Sequence, residues 1–317
     1  MKVHGLLLTR DDEDIVAQCI NHALTWCDAL YVFDTGSGDA TVEIIHEAAR
    51  KDRRVLVATG HPTPIVFDSG LRAVVFHKFR HLLKEGDWIA QVDSDEFFHI
   101  SPRQFVEEHL RSGETCVWNM IYDFRLTQSE VRAWEEGRES LADRQRPIAE
   151  RRRHYNLLKW SEPRLFRYRS SMQWKLVNAY PYNVGLVARN RIPIRHYPQR
   201  DVLALKKRWL LRKHMAPLTD SNWKHWQHPD WTKLVADDNA PDLHYWPPGT
   251  ELPVVQDAHH LPKFSKRLAQ RVAHHVLLPA LDAMRPRPPK EVDYNLIPAQ
   301  IETDIRQEMR LLEGSGY

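Results

Sequence analysis

The stretch Trp88-Ile89-Ala90-Gln91-Val92 runs directly into Asp93-Ser94-Asp95-Glu96, and this junction constrains the chain more than any other feature. The apolar residues fit a buried strand, and the acidic ones follow with no intervening loop. A strand ending in Asp-x-Asp puts carboxylates at the carboxyl edge of a sheet, where open α/β folds keep their ligands. Hard oxygens so placed suit Mg²⁺ or Mn²⁺, which takes one or two carboxylates and completes its shell with water and phosphate. Asp-x-Asp alone also describes a solvated acidic turn, so the remainder of the chain has to decide.

The N-terminal part decides it. Val3 to Leu8 is an apolar run that ends at Thr9-Arg10-Asp11-Asp12-Glu13-Asp14. A helical pattern follows, with Ile15, Cys19, Ile20, Ala23 and Leu24 on one face and the acidic residues in its first turn. A second strand, Ala29 to Phe33, leads into Asp34-Thr35-Gly36-Ser37-Gly38-Asp39-Ala40-Thr41, a tight turn that opens another amphipathic helix. Val55 to Ala58 is a third strand. Alternating strands and helices with short connections predict βαβ units and a parallel sheet.

These residues, in this order, resemble the family 2 glycosyltransferases. The resemblance rests on Asp34-x-Gly36-Ser37-x-Asp39-x-Thr41 followed by Asp87-Trp88 and Asp93-x-Asp95-Glu96-Phe97, and is nearest to the bacterial branch with a D-x-D-E-F sequence. It covers residues 1–125 well and continues more loosely to about residue 210, through Pro163-Arg164-Leu165-Phe166-Arg167 and His196-Tyr197-x-x-Arg200. The chain departs from the family in having Asp12-Glu13 for the usual Asn-Glu, and in lacking the Gln-x-x-Arg-Trp motif of processive members. The implied fold is GT-A-like: a mixed, mainly parallel α/β sheet with flanking helices, here with a helical C-terminal extension. The implied activity is metal-dependent transfer of a sugar from a nucleotide-sugar donor, with a UDP-sugar preferred, to a glycan, lipid-linked or small-molecule acceptor, with inversion.

By the same resemblance, Thr9 and Arg10 lie near the base and Asp34 hydrogen-bonds the base or ribose. Asp93 approaches the ribose or a metal-bound water, and Asp95 binds Mn²⁺ or Mg²⁺. His196, after the strand-like 190–195, occupies the place of a late histidine that completes the metal shell in several such enzymes. Local chemistry offers a rival role for Asp34, because Asp readily caps turns through nearby backbone donors. Arg200 and Arg208 are candidate phosphate clamps, since guanidinium forks match phosphate oxygens. Inversion needs a carboxylate base. Asp123, at the end of the strand Cys116 to Tyr122, and Glu162, just before Pro163, are candidates, and either could instead pair with a neighbouring arginine.

Charge is unevenly distributed. Residues 1–149 carry 17 Lys and Arg against 25 Asp and Glu, whereas residues 150–213 carry 17 against 3. Such a field attracts anions, a nucleoside diphosphate among them. A nucleotidyltransferase could use the same metal and diphosphate chemistry. The 11 tryptophans and the Arg-Tyr-Arg at 167–169 superficially suit a nucleic-acid binder, but no recognised module is present and the acidic strand ends repel a phosphate backbone. No Cys-x-x-Cys or His-Glu-x-x-His spacing supports zinc. Cys19, Cys27 and Cys116 fit buried free thiols in a reducing cytoplasm. A mean hydropathy of −0.55 and the lack of a long apolar run predict a soluble protein.

The expected division is a catalytic domain over 1–200 and a mainly helical, aromatic-rich region over 201–317 that completes the acceptor side. Asp201 caps a basic amphipathic helix whose stretch 203–213 fits either packing on its own domain or contact with the inner face of an anionic membrane. Helices are also predicted over 263–283 and 298–312, the second with Ile301, Ile305, Met309 and Leu312 on one face.

Overall fold

The computed structural model of the chain describes residues 1–58, 64–66, 70–176, 178–182, 184–218, 230–253, 268–269, 272–273 and 296–314. The aromatic run Trp223-Lys224-His225-Trp226, and all but four positions of the helix expected over 263–283, lie outside these residues.

Strands β1 (Val3–Thr9), β2 (Ala29–Asp34), β3 (Val55–Ala58) and β4 (Trp88–Asp93) form a parallel block in the order β3-β2-β1-β4. Helices α1 (Val16–Leu24), α2 (Thr41–Lys51) and α3 (Leu71–Phe79) make the crossovers. Both faces of β1 are covered. Val3 and Leu7 pack with Val16, Cys19 and Ile20 of α1, and Leu6 and Leu8 pack with Ala73 and Phe76 of α3. Two-sided burial explains why β1 reads as an unbroken apolar run and not as an alternating one.

Past β4 the strand directions become mixed. Strand β5 (Glu96–Phe98) follows at once, then β6 (Glu114–Phe124), β7 (His154–Leu157), β8 (Pro163–Arg167), β9 (Leu186–Val187), β10 (Ile192–His196) and β11 (His244–Tyr245). Short helices α4 (Pro102–Glu108), α5 (Gln128–Glu135) and α6 (Ile148–Arg151) fill connections between β5 and β7. Strand β8 runs antiparallel between β4 and β6. The far half of β6 pairs in parallel with β10, which in turn pairs antiparallel with β5. The mixed, mainly parallel α/β sheet with flanking helices expected from the sequence is therefore the one adopted, with the parallel block supplying the strand ends near the acidic motif.

One local expectation needs correction. Asp11 to Asp14 precede α1 and do not occupy its first turn. They join the β1 and β2 loops instead. Asp11 takes the left-handed conformation at φ 52, which Asp tolerates better than most residues. Its amide donates to Ser37 Oγ at 2.8 Å, and Gly38 N–H donates to its Oδ1 at 2.8 Å. Glu13 N–H reaches Asp39 Oδ2 at 3.2 Å.

Helix α7 (Val202–Met215) starts at Asp201, whose Oδ1 accepts from Ala204 N–H at 2.8 Å. Its Val202, Leu203 and Leu205 pack with Leu126 and Trp134, while Leu210 meets Ile305 and Met309 of the last helix, α8 (Ala299–Gly314). Lys206 lies 4.9 Å from the centre of the Trp231 ring. The 203–213 stretch thus packs within the chain, the first of its two expected roles. Among the described residues no helix is long and apolar enough to cross a membrane. All three cysteines are buried and free.

Asp201 anchors α7 from inside the protein. Arg144 grips it with Nε at 2.9 Å and Nη2 at 3.0 Å, and Arg151 Nη2 adds a contact at 3.1 Å. Burial opposes the charge on Asp201, but the hydrogen bond and charge of Arg144 outweigh it and hold the carboxyl well below its usual range. A depressed folded-state pKa stabilises the fold fully above the unfolded value of about 4, and the contribution fades as pH falls below that. Asp201→Ala, which removes the carboxylate from Arg144 and the buried Arg151, should cost about 3 kcal/mol at pH 7. Urea unfolding at pH 7 and pH 3 should show the difference from the parent shrinking in acid. Equal stability at pH 7 would contradict this role.

Candidate active site

Strand register assembles the site. In β1, Leu8 stands opposite Asp93 and Thr9 opposite Asp34, so all reach the carboxyl edge of the parallel block. In β10, His196 stands opposite Glu96 of β5 on one side and Asp123 of β6 on the other. Tyr197 N–H donates to the Asp95 carbonyl at 2.8 Å, fixing the acidic turn against the end of β10. Together with α7 these elements enclose a cavity of about 340 Å³ whose wall includes Thr9, Arg10, Asp93, Asp95, Glu162, His196, Arg200 and Arg208.

Asp95 and His196 face each other. Asp95 Oδ2 is 3.4 Å from His196 Nε2, and His196 Nδ1 is 2.7 Å from Asp123 Oδ1. Burial opposes the charge of His196, but Asp95 and Asp123 override it and raise its pKa to about 10. Burial likewise opposes the charge of Asp95, yet Arg208 and His196 hold that carboxyl well below its usual range. The donor set fits a divalent cation. A carboxylate oxygen and an imidazole nitrogen converge, and the second imidazole nitrogen is steered by another carboxylate, as in carboxylate–histidine–metal arrangements. Cation binding at Nε2 has to displace the proton held there. No group of three such side chains is found among the described residues, so the remaining ligands would come from water and substrate oxygens.

Arginines surround this pair. Arg208 Nη1 contacts Asp95 Oδ2. Arg72 Nη2 lies 2.5 Å from Asp93 Oδ1. Arg164 reaches Asp93 at 3.4 Å, Glu96 at 2.6 Å and Glu162 at 2.5 Å. The β6–β8 register skips Arg164, passing from Val117↔Leu165 to Trp118↔Pro163, and irregularities of this kind re-aim side chains next to active sites. Arg212 also lines the cavity. Burial, and then the neighbouring charge of Arg208, push its pKa down to about 9, so an anion in the cavity would relieve it.

Arg200 is held differently from a simple clamp. Its Nε lies 2.6 Å from Asp14 Oδ2 and its Nη2 lies 3.0 Å from Asp12 Oδ1. Asp12 in turn accepts from Ser94 Oγ at 2.5 Å and Thr9 Oγ1 at 3.1 Å. Arg200 therefore ties the β1 loop, the β4 turn and the start of α7 into one network. Asp34 is spent on its own turn, accepting from Gly36 N–H at 2.8 Å and Ser37 N–H at 2.9 Å. It is not part of the cavity wall. Asp123 is also set back from the wall, with His196 on Oδ1 and Arg125 on Oδ2 at 3.1 Å. The arginine partners weighed for Asp123 and Glu162 from the sequence are thus present, as Arg125 and Arg164, and Asp123 has His196 besides.

Sequence reasoning did not single out Arg72 or the Asp12–Asp14 pair as site residues. A lone arginine in the otherwise apolar Leu71-Arg72-Ala73-Val74-Val75-Phe76 was the available signal for the first. At the end of β1, Arg10 is engaged by Asp11 at 3.3 Å and by Glu302 of α8 at 2.6 Å, and Arg306 donates to Asp11 at 2.7 Å and to the Gly36 carbonyl at 2.7 Å. Helix α8 thereby covers the β1 and β2 loops, a contact between residues about 290 apart that no local pattern encodes.

No family model and no curated protein matches the chain. Among solved structures it is similar to a mannosyltransferase from Pyrobaculum calidifontis in complex with GDP-Man and Mn²⁺. That match has 10% identity, 99% of this chain and 81% of that one covered, and a TM-score of 0.38. It is also similar to glucosyl-3-phosphoglycerate synthase from Mycobacterium tuberculosis in complex with Mn²⁺, UDP and glucosyl-3-phosphoglycerate. There the identity is 17%, the coverage 41% of this chain and 46% of that one, and the TM-score 0.25. The chain thus spans less than half of the mycobacterial enzyme.

The Arg200 network yields a direct test. Arg200→Ala leaves Asp12 and Asp14 buried without their cation, a loss of about 3–5 kcal/mol. Thermal unfolding in the absence of any ligand should register it as a markedly lower melting temperature. Wild-type stability combined with weakened diphosphate binding would instead restore Arg200 to a pure clamp.

Proposed function

We propose that the chain is a metal-dependent glycosyltransferase that moves a sugar from a nucleotide-sugar donor, a UDP-sugar by preference, to an acceptor hydroxyl. The observation that carries this reading is the convergence of Asp95 and His196 on a cavity wall that also holds Arg208 and Arg212. Asp95 and His196 would hold Mn²⁺ or Mg²⁺, which when bound supplies Lewis-acid stabilisation of a departing diphosphate. Asp123 fixes the tautomer and orientation of His196, a positioning role that replaces its candidacy as base. Arg208 and Arg212 attract the diphosphate, and entry of that anion gives Arg208 a second acceptor beside Asp95. Arg72 and Arg164 keep Asp93 oriented at the strand end. Thr9 and Arg10 border the base side, and Asp34 shapes it through its turn. Glu162 remains the base candidate, and direct displacement with inversion is the proposed course. The 1–200 part would bind the nucleotide sugar and carry catalysis, with 201–317 supplying Arg208 and Arg212 and completing the acceptor side.

A nucleoside diphosphate should raise the melting temperature only when Mn²⁺ or Mg²⁺ is present, because a ligand of the folded state stabilises it by mass action. Asp95→Ala should abolish the metal-dependent part of that shift. The same shift in chelator would remove the metal from the account. Products separate this reading from nucleotidyl transfer: free nucleoside diphosphate supports it, and pyrophosphate contradicts it.

Asp123→Asn keeps the size of the side chain but weakens its hold on His196. Mn²⁺ affinity should fall about 10–100-fold, with little change in thermal stability. Titration of Mn²⁺ into both proteins checks this, and equal affinities would reduce the Asp123–His196 contact to a packing detail.

A further inference from the structure

Trp160 is 48% exposed, although a residue of its size is mostly buried in folded proteins. It borders the same cavity as Glu162 and Arg164. The backbone there is firmly seated, because Ser161 Oγ donates to the Asn119 carbonyl at 2.5 Å and Glu162 N–H donates to Asn119 Oδ1 at 2.9 Å. Asn119 N–H returns a bond to the Glu162 carbonyl at 3.0 Å. The indole is therefore an apolar plane held at the rim by a rigid support.

We propose that Trp160 and Glu162 form the acceptor subsite and that it takes a pyranose, so that the acceptor is a carbohydrate. The inference rests on the glycosyltransferase reading above and names the acceptor class for it. The C–H face of a pyranose ring offers a flat apolar surface that matches an exposed indole, while its hydroxyls suit the ionic groups beside it. A lipid alcohol would need a continuous apolar channel, and among the described residues the wall beside Trp160 carries the charged Glu162, Arg164, Glu96 and Asp93. Glu162 keeps 35% of its side chain exposed while touching Arg164. Arg164 also contacts Glu96 and Asp93 and is not given over to Glu162 alone. In the reaction the acceptor hydroxyl gives its proton to the Glu162 carboxylate. Its oxygen bonds to the anomeric carbon of the donor, and the bond from that carbon to the diphosphate breaks with its electron pair leaving on the nucleoside diphosphate.

The test uses saturation-transfer NMR on the full chain with cellobiose, methyl β-glucopyranoside, methyl α-mannopyranoside and glycerol, in the presence of UDP and Mn²⁺. At least one pyranoside should show saturation concentrated on ring C–H protons, with glycerol giving none. Trp160→Ala should weaken that pyranoside about tenfold, and Trp160→Phe should recover most of it. Undiminished binding in Trp160→Ala overturns the subsite, as does a glycerol response equal to that of every pyranoside. With the best pyranoside and a panel of UDP-sugars, Glu162→Gln should lower kcat about 100-fold or more at near-constant KM, and unchanged kcat overturns the base assignment. UDP binding to the unmodified chain is read separately, and its failure overturns the donor reading and not the acceptor inference.

Discussion

The site depends on one strand being inserted between two others. Because β10 pairs with β5 on one edge and β6 on the other, His196 is placed opposite Glu96 and Asp123 at the same level. Asp95 lies one residue before β5 and is drawn to the same point by the backbone bond from Tyr197. Shifting β10 by one residue would turn His196 to the opposite face and separate it from both carboxylates. Ile192 and Ile194 are fully buried, so hydrophobic packing on alternate residues opposes such a slip. Core burial and site geometry are thus the same constraint seen from two sides.

Electrostatics explains how so many charges share a dry region. Asp12 and Asp14 are satisfied by Arg200, Asp93 by Arg72 and Arg164, and Asp95 by Arg208 and His196. Arg72 and Arg164 hold the Asp93 carboxyl, and Arg208 and His196 the Asp95 carboxyl, below the usual range against the effect of burial, whereas at Asp12 burial outweighs Arg200 and raises the pKa. The arrangement also differs across the cavity. The Arg200 network is closed on itself and stiffens the loops, while Arg208 and Arg212 crowd each other. In the proposed function an incoming diphosphate would meet Arg208 and Arg212 of α7, beside Asp95 and His196. Binding a metal diphosphate there would exchange one set of ion pairs for another without leaving an orphaned charge.

The parallel block was legible because its strands are apolar on both faces and end in short polar turns, and the acidic strand end at Asp93–Asp95 follows from the same pattern. Helices α7 and α8 were legible from the Asp201 cap and from the spacing of Ile301, Ile305 and Met309. The pairing of His196 with Asp95 was expected by family resemblance, and its partner Asp123 was noticed but given another role. A sequence shows that a carboxylate ends a strand. It does not show which strand will lie beside it, and that depends on long-range register. Arg200 illustrates the same limit. Its chemistry suits a phosphate, yet the nearby Asp12 and Asp14 are distant in sequence and claim the guanidinium first. Asp34 was expected at the nucleotide, and its carboxylate accepts from the Gly36 and Ser37 amides of its own turn, donors that the local sequence always supplies.

The central claim is that Asp95 and His196 together hold a divalent cation that also meets a diphosphate. Pulsed electron paramagnetic resonance on Mn²⁺ bound to the protein with UDP measures this directly. The account predicts nitrogen modulation from a directly bound imidazole and phosphorus coupling from UDP in the same complex, with His196→Ala losing only the nitrogen signal. Phosphorus coupling without any nitrogen modulation in the unmodified protein, or nitrogen modulation that survives in His196→Ala, would contradict it.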